Sequence, residues 1–260
     1  MVGCGTSVIC NSLPEMSMNR HARRATCVAV LTAAALSVTV AGVPAPASAS
    51  HAPVASGAPR TGLVRTADDP RNQMPGYSFR NRDKLAVDAA DALSVIMRVS
   101  NTDDPAYLRL RRLVSDEIAR RMGLDATALN KRWSRAPRDH QIAGLAAITQ
   151  IGVRYVEGKE DPYVQMDCSG LHWYAWRVAG LDMPRQAVSQ QDRHMRIDRE
   201  DAVWGDIVGE GTHVHMYLGL GNAMIHAPFK GKRVKLKMMS EAQAVRSVWA
   251  DPSIIALFRL

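Results

Sequence analysis

A chain of 260 residues, 47% apolar and 22% charged, is long enough for one or two domains and apolar enough to build a real core. Its net charge of +8 suits attraction to a polyanion outside the cell, such as wall polymer or anionic lipid headgroups, or is simply a generic basic surface. No nucleic-acid-binding motif accompanies that charge, so a nucleic acid is not expected as a partner.

Residues 1–49 read as an export signal. Arg20, Arg23 and Arg24 form a basic stretch, the run from Ala25 to Val43 carries no charge, and Ala45-Pro46-Ala47-Ser48-Ala49 supplies the small residues a signal peptidase needs. That order makes Met16 or Met18 a better start than Met1. The apolar run is also long enough for an uncleaved anchor, but the proline and small residues behind it favour cleavage. No second apolar run could span a bilayer, so no stable membrane insertion is expected afterwards and the product is secreted or wall-associated. Cleavage takes away Arg20, Arg23, Arg24 and Glu15, which leaves 30 basic against 24 acidic residues and a net charge of +6. It also takes away Cys4, Cys10 and Cys27, and Cys168 is then the one cysteine left. A lone thiol in an exported chain is a buried spectator, an intermolecular bridge or a nucleophile.

Residues 50–80, rich in Ala, Pro, Gly, Ser and Arg, read as a linker. From about 82 the pattern turns helical, with Leu85, Ala89, Ala92, Leu93 and Ile96 at spacings of three and four. Asp104-Pro105 predicts a capped second helix. On it Leu110, Leu113, Val114, Ile118 and Met122 share a face, Arg109, Arg111, Arg112, Arg120 and Arg121 lie mostly off it, and Gly123 is the stop. A short helix is expected around 126–134. Residues 81–136 thus form a helical hairpin or small bundle. Its arginines make a solvated face, with a docking surface for wall polymer or a plug over the active site as the sharper alternatives.

From residue 137 to 260 the texture is that of a second domain. Helices are predicted over about 138–151 and 168–179. Short runs then follow at 206–208, 213–218, 223–226, 234–237 and 254–259, and they read as antiparallel strands. Helices followed by a strand meander are an α+β signature. The basic run Lys230, Lys232, Arg233, Lys235 and Lys237 reads as a solvated hairpin edge. Trp173, Trp176 and Trp204 read as packing.

Asp167-Cys168-Ser169-Gly170 opens the second of these helices, which puts Cys168 on a first turn where free N–H groups and the helix dipole favour a thiolate. The same N–H groups could hold an oxyanion. His213 starts a predicted strand and is placed to act as base. His226, on the next strand, could hold the other nitrogen of that ring, as a third triad member does. His215 falls on the same face as His213 and could crowd the cleft. Cys168 with His213, His215 and His226 could instead be a zinc site.

These stretches resemble the NlpC family of bacterial cell-wall peptidases, which have a papain-like core. The likeness is carried by Gly152-Val153-Arg154-Tyr155, by Asp167 to Leu171 with Tyr174 and Gly180, and by Pro184-Arg185 with Gln190. It continues through Gly205-Asp206-Ile207-Val208, His213-Val214 with Tyr217-Leu218-Gly219, and Ile225-His226-Ala227-Pro228. His215, Trp204 and Gln186-Ala187 depart from the pattern, as does the short Gly209-Glu210-Gly211 connection. The resemblance implies a cysteine peptidase that needs no cofactor and no metal. Its reaction would be hydrolysis of the D-γ-glutamyl-diamino-acid bond of peptidoglycan stem peptides, carried out by a monomer. It gives Cys168 as nucleophile, His213 as base and His226 as orienter, with Tyr155, Asp167, Ser169 and Arg185 binding substrate. An acyl or amide transferase on the same core, and an inactive wall-binding or zinc-binding protein, are the alternatives.

Overall fold

Asp83 caps the first helix by accepting the Leu85 N–H at 2.9 Å. Helix α1 (Lys84–Ile96) then buries Leu85, Ala89, Ala92, Leu93 and Ile96, the stripe its spacing predicts. These coordinates are a computed structural model that describes residues 82–258, with side chains as far as Ile255. The expected signal at 1–49 and linker at 50–80 lie outside the described residues. All described residues fall in one compact unit.

Helix α2 (Pro105–Met122) begins as predicted: Asp104 accepts from the N–H groups of Ala106 and Tyr107, and Pro105 occupies the first turn. Gly123 closes it at φ 68°, a left-handed cap that costs glycine no Cβ clash. The buried stripe differs from the expected one. At 100° per residue, Tyr107, Arg111, Val114 and Ile118 line up, and all four are buried. Leu113 sits on the opposite side, 53% exposed. Arg111 is therefore not part of a solvated face. Its guanidinium lies 3.5 Å from Gln141 Oε1 and over the Tyr107 ring.

Helix α3 (Ala126–Arg135) buries Leu129 and Trp133, and α4 (Arg138–Ile148) is buried on almost every side. Trp133 stacks on Trp204 with ring centroids 3.6 Å apart and donates Nε1–H to the Leu218 carbonyl. Residue 144 must be glycine here, because a Cβ would stand 2.2 Å from the Trp204 ring. Residues of α1–α3 share one continuous buried cluster with Leu171, Trp176, Ile207 and Met216 of the following segment.

Three two-residue strands come next: β1 (Arg154–Tyr155), β2 (Glu160–Asp161) and β3 (Gln165–Met166), in the order β1-β3-β2. They are too short for periodicity to reveal. Helix α5 (Cys168–Val178) packs on α4. The main sheet is wholly antiparallel. It contains β4 (Ile207–Glu210), β5 (His213–Tyr217), β6 (Ala223–His226), β7 (Lys235–Met238) and, after helix α6 (Glu241–Arg246), β8 (Val248–Ala250), in the order β7-β6-β5-β4-β8. The fold is α+β.

The strand expected over 254–259 is instead a 3-10 helix, Pro252–Phe258. Pro252 cannot donate to a ladder, and Asp251 accepts the N–H and Oγ–H of Ser253, which turns the chain into helix. The sheet edge is filled by β8, just before it.

His140 on α4 pins the helical layer to this sheet. Its Nε2 lies 3.1 Å from Asp206, just before β4, and 3.1 Å from Asp251, just after β8, while Asp139 holds Nδ1 at 3.0 Å. Burial alone would push the imidazole pKa down, but the three carboxylates lift it to about 11. The three carboxylates thus favour the imidazolium form of His140.

Candidate active site

Asp167 sets the start of α5. Its Oδ1 accepts the Gly170 N–H at 2.6 Å, and Oδ2 accepts the Gly158 N–H at 2.8 Å. Arg185 binds both oxygens, at 3.0 and 2.9 Å, and also reaches Ser169 Oγ and Glu160. Glycine at 170 is required by the backbone of the preceding segment, because a Cβ there would stand 2.3 Å from the Lys159 carbonyl. Asp167 and Ser169 are buried, so this network holds the helix terminus rigid and Cys168 becomes its first residue.

The Cys168 thiol is buried on the face toward β5. Sγ donates to the Thr212 carbonyl at 3.9 Å and accepts from the Val214 N–H, backbone groups on either side of His213. Among the described residues its hydrogen bond runs to this backbone, not to the His213 ring. The expectation of a thiol acidified by the helix terminus needs correction. Burial pushes the Cys168 pKa up, and the nearby N–H groups offset only part of that.

His213 Nε2 lies 3.1 Å from His226 Nδ1. That contact leaves His213 Nδ1 as the nitrogen free to take a proton from sulfur. His215 occupies the same face of β5, as strand alternation predicts. It lies edge-on to His213 at 4.6 Å, stacks on His226 at 4.7 Å and gives Nε2 to Glu210 at 2.9 Å. It is wholly buried. Burial pushes His213 below its ordinary pKa, and burial plus neighbouring imidazoles take His215 to about 3 and His226 to about 2. His172 joins the group, is also fully buried, and is pushed down to about 3. Sequence reasoning missed His172, although it stands one helical turn after Cys168 and so shares its face. It also missed Glu210 as the partner of His215, since only the hairpin register shows the two side chains within reach.

An open cleft of ≈ 530 Å³ runs past the thiol, with Tyr155, Glu160, Asp167, Cys168, Arg185 and Thr212 among its lining residues. Ser169 borders it as well. Tyr155 thus borders the cleft that the thiol opens onto. Asp167 and Arg185 border the cleft too, with most of their polar atoms engaged by each other. Gln190 braces the rim by donating to the carbonyls of Ser169 and Pro184. None of these lining residues comes from α1–α3, so the helical layer is not a plug in this cleft.

A cysteine at a helix start, faced by a sheet that carries an imidazole pair, defines a papain-like cysteine hydrolase. Residues 152–251 match the NlpC/P60 family profile, and this part of the chain belongs to that family of cysteine peptidases. The chain is 35% identical over 127 residues to "Murein DD-endopeptidase MepH" of Escherichia coli, covering 44% of this chain and 46% of that one. It is 34% identical over 148 residues to "Bifunctional muramidase/DL-endopeptidase CwlT" of Bacillus subtilis, covering 53% and 42%. Among solved structures, the NlpC/p60 domain of the peptidoglycan hydrolase SagA is 30% identical, with a TM-score of 0.37, covering 43% of this chain and 97% of that one. The chain spans less than half the length of these two curated relatives.

Proposed function

We propose that the protein is a secreted, wall-associated peptidoglycan endopeptidase that hydrolyses the D-γ-glutamyl-diamino-acid amide of stem peptides through a thioester. The observation that carries this reading is the placement of one thiol at a helix start against the strand of a paired imidazole. His213 Nδ1 takes the Sγ proton as sulfur attacks the carbonyl carbon, and His226 keeps the ring oriented. Backbone N–H groups at the start of α5 face the developing oxyanion. The proton on His213 passes to the leaving amine. Water then attacks the thioester with the same base, which releases the acid and restores the thiol. Tyr155, Ser169, Asp167 and Arg185 bind the substrate side of the cleft, and the mechanism needs no cofactor. A monomer suffices, because thiol, base and cleft all come from one chain.

The bond itself rests on the resemblance, since relatives are named both as a DD- and as a DL-endopeptidase. Secretion rests on the basic, apolar and small-residue order of residues 19–49. The test is mass spectrometry of purified peptidoglycan fragments digested by the full chain and by Cys168→Ala. A new cut between the D-glutamyl and diamino-acid residues, absent from the variant, is expected. A cut made equally by the variant, or no cut at all, contradicts the reading.

A further inference from the structure

The histidine cluster contains more imidazoles than a hydrolytic triad uses. His213, His215 and His226 each offer a ring nitrogen, and the three lie within 4.8 Å of one another. Two ring nitrogens of this group, His215 Nδ1 and His226 Nε2, are buried with no hydrogen-bond partner among the described residues. A buried polar atom left unmatched costs about 1–3 kcal/mol, so a fold that keeps two together has a reason to be sought.

His215 gives the chemical direction. Its Nε2 faces the Glu210 carboxylate at 2.9 Å, and a carboxylate can only accept, so the neutral ring carries its proton on Nε2. That leaves Nδ1 as a bare lone pair within the cluster. A carboxylate behind one nitrogen and an unprotonated nitrogen in front is how proteins orient a metal-binding histidine. The strand register supplies the rest. Residues 213 and 215 point to one face of β5, and β6 beside it brings in residue 226.

We propose that His213, His215 and His226 form a zinc site that switches the active site off. Imidazole nitrogens suit Zn²⁺, and three protein ligands leave one position for water or the nearby thiol. Zinc there occupies the ring that serves as base and the ring that orients it, so peptide cleavage stops while zinc stays bound. The inhibitory consequence rests on the peptidase reading. The site itself does not.

Calorimetric titration of zinc chloride into the full chain separates the two. Cys168→Ala is used first, so that a simple clamp between thiol and imidazole contributes nothing. One zinc per chain is expected to bind. In the same background His215→Phe is expected to lose it while keeping a ring to stack on His226. Glu210→Gln, on a partly exposed side chain, is expected to weaken it about 10–100-fold. In the wild-type chain, zinc is expected to arrest stem-peptide cleavage reversibly with chelator, and cleavage by His215→Phe, scaled to its own zinc-free rate, to resist. No zinc bound by Cys168→Ala overturns the proposal, and so does binding unchanged by both His215→Phe and Glu210→Gln. Should His215→Phe lose its native circular dichroism, Glu210→Gln alone decides. Zinc binding of the expected kind in a chain that cleaves nothing would sink the peptidase reading and leave the metal site standing.

Discussion

His140 and the histidine cluster beside Cys168 are both buried, yet one favours the charged imidazole and the other the neutral one. His140 is 1% exposed and His215 is 0%, so burial does not separate them. Their partners do. Three carboxylates surround His140 and hold it as an imidazolium, whereas His213, His215, His226 and His172 mostly meet one another and stay neutral. The first arrangement fixes structure by tying α4 to the end of the sheet where β4 begins and β8 finishes. The second stores lone pairs, which a base or a metal can use. Desolvation works against the charged form in both places, and only the carboxylates outweigh it.

The comparison is broken most sharply by exchanging what each centre loses. His213→Ala is expected to lower kcat about 10²–10⁴-fold, the usual worth of a positioned base, with little change in the denaturation midpoint. His140→Leu leaves Asp206 and Asp251 buried without their cation. It is expected to cost about 3–5 kcal/mol in urea denaturation, while the molecules that remain folded cleave normally. If His140→Leu abolished cleavage without loss of stability, the division of roles would be wrong.

Acid and alkali should act on different centres. His140 has its pKa raised, so its contribution to stability is complete below the unfolded value near 6.5 and fades as pH rises through about 11. The cluster imidazoles have theirs depressed. In the unfolded chain they take up protons near pH 6.5 but in the fold they resist to about 3, so stability falls as pH drops across that window. Thermal melts from pH 3 to 11 should lose midpoint on both flanks, with His140→Leu flattening the alkaline flank and His215→Phe the acid one. The acid limb of kcat/KM is likewise expected below the ordinary histidine pKa, because burial depresses His213. The smallest effect belongs to the half-buried Asp83–Arg121 pair between α1 and α2. Asp83→Asn keeps the cap and removes the charge, and is expected to shift stability by no more than about 1 kcal/mol.

The parts of this architecture that follow local rules were legible in the sequence. The stripe of α1, the Asp104-Pro105 start and Gly123 stop of α2, and the alternation that sets His215 beside His213 are all short-range patterns. Leu113 and Arg111 show where reading apolar identity alone fails. The helical angle puts the arginine inside and the leucine outside, because Tyr107 and Gln141 give the guanidinium a place to lie. The His140–Asp206–Asp251 centre was invisible for another reason: its members are 66 and 45 residues apart in the chain and only the sheet order brings them together. Cys168 shows the same limit: a helix terminus can be seen in sequence, whereas the desolvation that opposes it depends on how β5 covers the thiol.

The central claim is that desolvation outweighs the nearby charges and keeps the active centre neutral at rest, with Cys168 a thiol and His213 an imidazole. Its most direct test is the rate at which iodoacetamide alkylates the Cys168 peptide, followed by mass spectrometry across pH 5 to 10. Since only thiolate reacts, a neutral pair predicts a rate that is low near pH 6 and keeps climbing through the ordinary thiol range. A plateau already reached by pH 6 would mean a preformed thiolate–imidazolium pair and would contradict the account.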